Sequence, residues 1–173
     1  MIGLNKSDTM AMLFKDPPIF RKERLTYVQD SLNYYQQKYP KINKLDKTYY
    51  IEEFKNFLFY TSDNEFSKNI DTWVDIPNVI DWHIILLFSN NGDGIMKNFY
   101  LYKLYKNTPF RFAIWDYDHS FGRDGDNEYN LMESELNCNR SILLERLSNI
   151  SAIGYFSRLK YRWFELRQQN IIS

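Results

Sequence analysis

The chain has 173 residues, and its 22 Lys and Arg balance 22 Asp and Glu, so the formal net charge is zero. Hydrophobic residues make up 44% and aromatic residues 18%, enough to build a core and too many for a disordered chain. The balanced charge argues against a nucleic-acid or membrane surface, no apolar run beyond the short one at 84–88 approaches a membrane span, and the single cysteine, Cys138, leaves no internal disulfide or cysteine-based zinc site.

Residues 1–12 are too polar for a signal peptide, and the reading is of a chain whose native N-terminus and targeting signal lie upstream. Residues 11–14 are read as a short strand before Pro17-Pro18. Over 19–38, Phe20, Leu25, Val28, Leu32, Tyr35 and Tyr39 recur near helical spacing, which predicts a helix ended by Pro40. Asp46 is placed as the cap of a helix over 47–60, and Asp63 as the cap of another over 64–70. Asp75-Ile76-Pro77 is a strong helix start, an Asp cap with Pro in the first turn. The helix it opens, 76–89, is apolar around most of its circumference and is therefore expected to be the most buried.

That helix delivers the chain to an acidic glycine loop, Asn91-Gly92-Asp93-Gly94, closed by Asn98. Two alternating segments follow, 99–105 and 110–114, with a short turn between them, which predicts a hairpin. Phe99, Leu101 and Lys103 fall on one face, with Tyr100 and Tyr102 on the other. After the hairpin comes a second acidic cluster, Trp115-Asp116-Tyr117-Asp118-His119-Ser120-Phe121-Gly122. The polar run 116–140 reads as an irregular functional loop, and 141–149 and 151–170 read as helices. The fold class is α+β, mainly helical, with one central hairpin whose ends carry the acidic residues.

The hairpin would bring Asp93, Asn98, Asp116 and Asp118 together. Phosphoryl transfer from a nucleotide needs hard oxygen ligands for divalent metal and a carboxylate near the attacking hydroxyl. The order Asp-x4-Asn, hairpin, Asp is that of the protein-kinase catalytic loop and its second metal-binding Asp. On this reading Asp93 orients or deprotonates the hydroxyl, Asn98 and Asp116 bind metal, and Asp118 binds metal or holds its loop. Two other readings stand beside it. Asn-Gly-Asp-Gly is also a common turn sequence whose side chains bond their own backbone. Asp116-x-Asp118-x-Ser120 also resembles the start of a Ca²⁺ loop, although Gly122 and Glu128 each fall one position late for an EF-hand.

The same residues carry a family likeness. Asn91-Gly92-Asp93, Lys97-Asn98-Phe99-Tyr100-Leu101-Tyr102 and Ile114-Trp115-Asp116-Tyr117-Asp118-His119-Ser120-Phe121-Gly122 resemble the CotH family of spore coat protein H-like atypical protein kinases. Leu13-Phe14-Lys15, the 75–82 helix start, Leu143-Leu144-x-Arg146-Leu147 and Arg162-Trp163-x-x-Leu166-Arg167 fit as well. The resemblance implies a protein-kinase-like C-terminal lobe whose hairpin carries the metal-binding loops. It implies ATP and Mg²⁺ (or Mn²⁺) as cofactors, and Ser or Thr of proteins as acceptors, coat proteins in a spore former. Carried over, Asp93 is the catalytic Asp, Asn98 and Asp116 are metal ligands, and Lys15 and Arg123 are candidates for nucleotide phosphate. The family's nucleotide-covering strands should precede residue 11, where no glycine-rich strand pair stands. The chain, 1–173, is thus read as one domain, the C-terminal part of the family domain, active as a kinase if the N-terminal lobe is supplied. The alternative is a non-catalytic scaffold of a coat or cell surface, possibly Ca²⁺-stabilised. No membrane segment is expected, and the oligomeric state is left open.

Other residues are read more plainly. His83, on a very apolar helix, is expected to be buried and hydrogen-bonded. His119 is placed equally as base, metal ligand or turn residue. Arg111 is read as one half of a surface ion pair, Trp115 as packing beneath the second acidic turn, and Cys138 as a thiol without a partner. Tyr34, Tyr35, Tyr39, Tyr49 and Tyr50 are read as core or interface residues.

Overall fold

The computed structural model describes residues 11–21, 34–122 and 136–172. Within them the order is β1 (Met12–Lys15), β2 (Gln37–Tyr39), α1 (Thr48–Tyr60), α2 (Asp63–Trp73), α3 (Ile76–Ser89), β3 (Phe99–Lys103), β4 (Arg111–Ile114), α4 (Ile142–Asn149) and α5 (Tyr155–Gln168). Short 3-10 turns stand at Asp93–Ile95, Cys138–Arg140 and Ser151–Ile153. The fold is α+β, as the sequence implies, with a larger sheet than the expected hairpin. The four strands run β2-β1-β3-β4, each antiparallel to its neighbour.

Period-two alternation explains the sheet's two faces. Met12 and Phe14 of β1, Phe99 and Leu101 of β3 and Phe112 of β4 are buried, while Lys15, Tyr100 and Ala113 align across the other face. The buried face packs on α3. Trp82 stacks on Phe112 with ring centroids 4.2 Å apart and meets Phe99 edge-on at 5.8 Å. Phe20 and Phe54 extend this aromatic core toward α1. As expected, α3 is buried over much of its circumference, including Val79, Ile80, Trp82, His83, Ile84 and Leu86.

The outer edge of β4 is held by a side chain. The Asn78 amide donates from Nδ2 to the Phe112 carbonyl at 3.1 Å, and its Oδ1 accepts from Phe112 N–H at 2.6 Å. Asn78 thus supplies the pair of bonds that a fifth strand would, and so protects an edge that otherwise invites pairing.

Several local expectations are corrected. Of the helix expected over 19–38, residues 22–33 lie outside the described residues, but 37–39 form the edge strand β2. There the Gln37 side chain does the work: Oε1 accepts from Lys47 N–H at 2.7 Å, and Nε2 donates to the Pro40 and Leu45 carbonyls. Asp46 sits one residue outside the cap of α1 and accepts from Thr48 N–H at 2.7 Å. The cap of α2 is Ser62, whose hydroxyl accepts from Glu65 N–H at 3.2 Å, and Asp63 is the first helical residue. Asp75 caps α3 as expected, accepting from Asn78 N–H at 3.0 Å. The single helix expected over 151–170 is split at Gly154, whose φ of +64° suits glycine.

Candidate functional site

The first acidic loop is shaped by how α3 ends. Asn90 closes the helix in a left-handed conformation, φ +49°. Asn91 is fully buried, and its Oδ1 accepts from Gly94 N–H at 2.7 Å, which folds the loop back on itself. The Asp93 carbonyl accepts from Met96 and Lys97 N–H groups, and Ile95 and Met96 are buried beneath. The Asp93 carboxylate is therefore left at the surface, where Lys97 Nζ lies 2.8 Å from Oδ2. Lys97 is a contact that sequence reasoning gave no role. The signal was its position four residues after Asp93, the spacing of neighbours on one face of a helical turn.

The hairpin then joins this loop to the second. Asn98 has a φ of +64°; its Nδ2 donates to the Asp116 carbonyl at 2.8 Å, and its own carbonyl accepts from Trp115 N–H at 3.0 Å. From the other side, Asp16 Oδ1 accepts from Phe99 N–H at 3.0 Å while Asp16 N–H donates to the Phe99 carbonyl at 3.0 Å. Asp16, Asn98 and Asp116 all hold left-handed backbone, φ +47°, +64° and +57°. Each costs roughly 1–2 kcal/mol in a non-glycine residue, least for Asn and Asp. Such strain persists where surrounding bonds over-determine it, and it gathers at functional sites.

In the second loop Asp116 and Asp118 are exposed, whereas Tyr117 between them is turned inward. The loop is tied to the end of α3, since Phe121 N–H donates to the Ser89 carbonyl at 2.6 Å and Phe121 meets Phe88 edge-on. Ser120 donates to the Tyr117 carbonyl at 2.5 Å. His119 Nε2 stands 3.8 Å from Asp118 Oδ2, a loose exposed pair. The structure thus brings the Asp93, Asn98, Asp116 and Asp118 backbones onto two turns that are bonded together. Their oxygens are hard donors of the kind Mg²⁺ and Ca²⁺ take. Among the described residues no group of three or more His, Cys, Asp or Glu side chains comes together that could hold a metal ion.

Lys15 lies opposite Tyr100 in the sheet, and its Nζ sits 4.8 Å from the centroid of the Trp115 ring. Trp115 is 43% exposed and meets Tyr100 edge-on, so it stands on the sheet's open face and not beneath the turn, because the left-handed Asp116 turns the chain away. Arg123 lies outside the described residues. Arg111 pairs with Asp75 at 3.2 Å, the surface ion pair expected of it. Of the tyrosines, Tyr35 and Tyr50 are buried, while Tyr39 and Tyr49 are about half exposed.

His83 is buried and hydrogen-bonded, as expected: Nδ1 lies 3.0 Å from the Tyr155 hydroxyl. Its Nε2 lies 3.3 Å from Cys138 Sγ, so the thiol has a partner, contrary to the sequence reading. Burial lowers the His83 pKa to about 4 and pushes the Cys138 thiol up to about 11. A neutral imidazole between two protonated neighbours is a structural joint of α3, α5 and the Cys138 turn, and the shifts run against an activated thiolate.

An α+β domain with two acidic loops clasped at the ends of one hairpin is the class that fold and site define. The sequence pattern described as "CotH kinase protein" matches residues 6–172, and the chain belongs to the CotH family. It is also 32% identical over 60 residues to "Inner spore coat protein H" of Bacillus subtilis (strain 168), an alignment covering 35% of this chain and 17% of that protein. Among the described residues no helix is long and apolar enough to cross a membrane.

Proposed function

We propose that this chain is the C-terminal, kinase-lobe-like part of a CotH-type protein kinase domain, transferring phosphate from ATP to Ser or Thr hydroxyls of proteins, with spore coat proteins as the substrate class. The observation that carries the reading is the Asn98–Asp116 hydrogen bond, which joins the two loops that a phosphoryl-transfer site must hold together. Asp93, at the surface, accepts a hydrogen bond from the acceptor hydroxyl and aligns it, and its proton can pass to the carboxylate as the new bond forms. Lys97 Nζ, 2.8 Å from Oδ2, holds that carboxylate in its orientation. Asn98 through Oδ1, Asp116 and Asp118 are the residues that would hold Mg²⁺ or Mn²⁺, which when bound neutralises phosphate charge. Lys15 and Arg123 are the chain's cations for nucleotide phosphate, Lys15 from the edge of the same corner. The family match and the coat protein's name support the coat assignment.

The test is calorimetric titration of the chain with Mn²⁺ and ATP, together and separately, for wild type and Asp116→Ala. Metal-dependent ATP binding lost in Asp116→Ala is the expected result. Metal bound with no effect of ATP favours a Ca²⁺- or metal-stabilised scaffold, and no binding of either removes catalysis by this chain.

A further inference from the structure

The two acidic loops meet at one place besides the Asn98 clasp. Tyr117, between Asp116 and Asp118, reaches in to Gly94, the residue after Asp93. A β-carbon added at Gly94 would stand 2.9 Å from the Tyr117 hydroxyl, 3.2 Å from Asn91 Oδ1 and 2.6 Å from Leu86 Cδ2. Gly94 has no left-handed backbone to demand glycine, so space alone requires it here. The contact is also unusual chemically. The Tyr117 hydroxyl and Asn91 Nδ2 are both buried, and among the described residues neither has a hydrogen-bond partner, nor has the indole Nε1 of Trp82. Tyr117 therefore gains little from its polar end, and its contribution is shape.

We propose that Tyr117 is the positioning residue of this site, its inward side chain set with the hydroxyl end against Gly94 so as to fix the spacing of the Asp93 loop from the Asp116 and Asp118 carboxylates. This rests on the metal- and ATP-binding reading above. An inward tyrosine flanked by two outward carboxylates makes their placement follow from its packing. Residues that orient metal ligands without touching the metal typically change affinity by about 10–100-fold when lost.

The contact makes a specific forecast. Gly94→Ala presses a methyl against both Leu86 Cδ2 and the Tyr117 hydroxyl, and Tyr117→Phe removes the second of these. Mn²⁺ affinity, read by electron paramagnetic resonance in the presence of ATP, is measured for wild type, Gly94→Ala, Tyr117→Phe, Tyr117→Leu and the Gly94→Ala/Tyr117→Phe pair, with melting temperature alongside. Gly94→Ala and Tyr117→Leu should each weaken Mn²⁺ about tenfold, with a changed Mn²⁺ line shape. Tyr117→Phe should stay within about threefold of wild type, and the double variant should recover part of the Gly94→Ala loss. A double variant no better than Gly94→Ala overturns the proposal. If Gly94→Ala does not fold, Tyr117→Leu binding as tightly as Tyr117→Phe overturns it. A wild type that binds Mn²⁺ while all variants bind alike removes only the role of Tyr117. A wild type that binds neither metal nor ATP removes the underlying reading and this role with it.

Discussion

Asn98 Nδ2 and the carbonyl of Asp116 are 2.8 Å apart although 18 residues separate them. The bond crosses the base of the β3–β4 hairpin, and both residues hold left-handed backbone, φ +64° and +57°. Nδ2 thus fixes the second loop, and on the function proposed above Oδ1 has a second job as a metal ligand.

Those jobs separate on substitution. Asn98→Ala loses the bond and places a residue poorly suited to positive φ, which should cost about 1–2 kcal/mol in urea unfolding. Asn98→Gly also loses the bond but relieves the backbone, so its cost should be smaller. Both should lose metal-dependent ATP binding to the same degree. If binding instead tracks stability, so that Asn98→Gly binds as wild type does, the side chain is no ligand.

Asp16 supports the same corner from β1. Its Oδ1 accepts from Phe99 N–H and its own N–H donates to the Phe99 carbonyl. Asp16→Asn keeps an acceptor and tolerates the positive φ, so it should cost well under 1 kcal/mol. Asp16→Ala leaves Phe99 N–H without its acceptor and should cost about 1–3 kcal/mol. Equal melting temperatures for the two variants would mean that water replaces the carboxylate without loss.

How much of this was legible beforehand depends on the range of the interaction. The Asp75-Ile76-Pro77 start, the apolar girth of α3 and the alternation of Phe99 and Leu101 against Tyr100 are local patterns, and each appears where the sequence puts it. The juxtaposition of Asn98 and Asp116 was legible because a hairpin is the shortest way to join two loops. Asp16, Asn78 and Tyr117 were not, because each acts across tens of residues and looks in sequence like any turn or surface residue. Gln37 misled for the same reason. Helical spacing of its apolar neighbours extends to Tyr39, yet pairing with β1 and three bonds from its amide decide the backbone at 37–39. Gly154 did carry a local signal, as a glycine between two helical patterns often marks a helix end.

His83 predicts a pH dependence. Its pKa falls from 6.5 to about 4 on folding because burial disfavours the imidazolium. Between those values the unfolded chain takes up a proton that the folded chain refuses, so stability falls as pH drops through about 6.5 to 4 and is unaffected by this group above it. At about 1.4 kcal/mol per pKa unit the full loss is on the order of 3 kcal/mol. The groups facing the ring, Tyr155 and Cys138, are both protonated throughout this window. Denaturant unfolding at several pH values should therefore give a steeper acid decline for wild type than for His83→Gln. Parallel curves would mean that the imidazolium is accommodated in the folded chain.

Arg146 is the last case, and here the ion pair is the lesser part. Its Nη1 donates to the Leu58 carbonyl at 2.9 Å and to Thr61 Oγ1 at 3.2 Å, and its Nη2 donates to the Thr61 carbonyl at 2.8 Å and to Asp63 Oδ1 at 2.9 Å. The guanidinium also lies 4.2 Å from the Phe66 ring centroid. The Arg146 side chain is 11% exposed and that of Asp63 75%, so the carboxylate is largely screened by water while the carbonyls at the end of α1 are not. Asp63→Ala should therefore cost less than about 1 kcal/mol. Arg146→Lys keeps the charge but cannot span two carbonyls and a hydroxyl with one ammonium, and it should cost about 2–3 kcal/mol. The two variants compared by urea unfolding decide the matter. If Asp63→Ala is the more damaging, α4 is held to the α1–α2 corner by charge and not by the capping of backbone carbonyls.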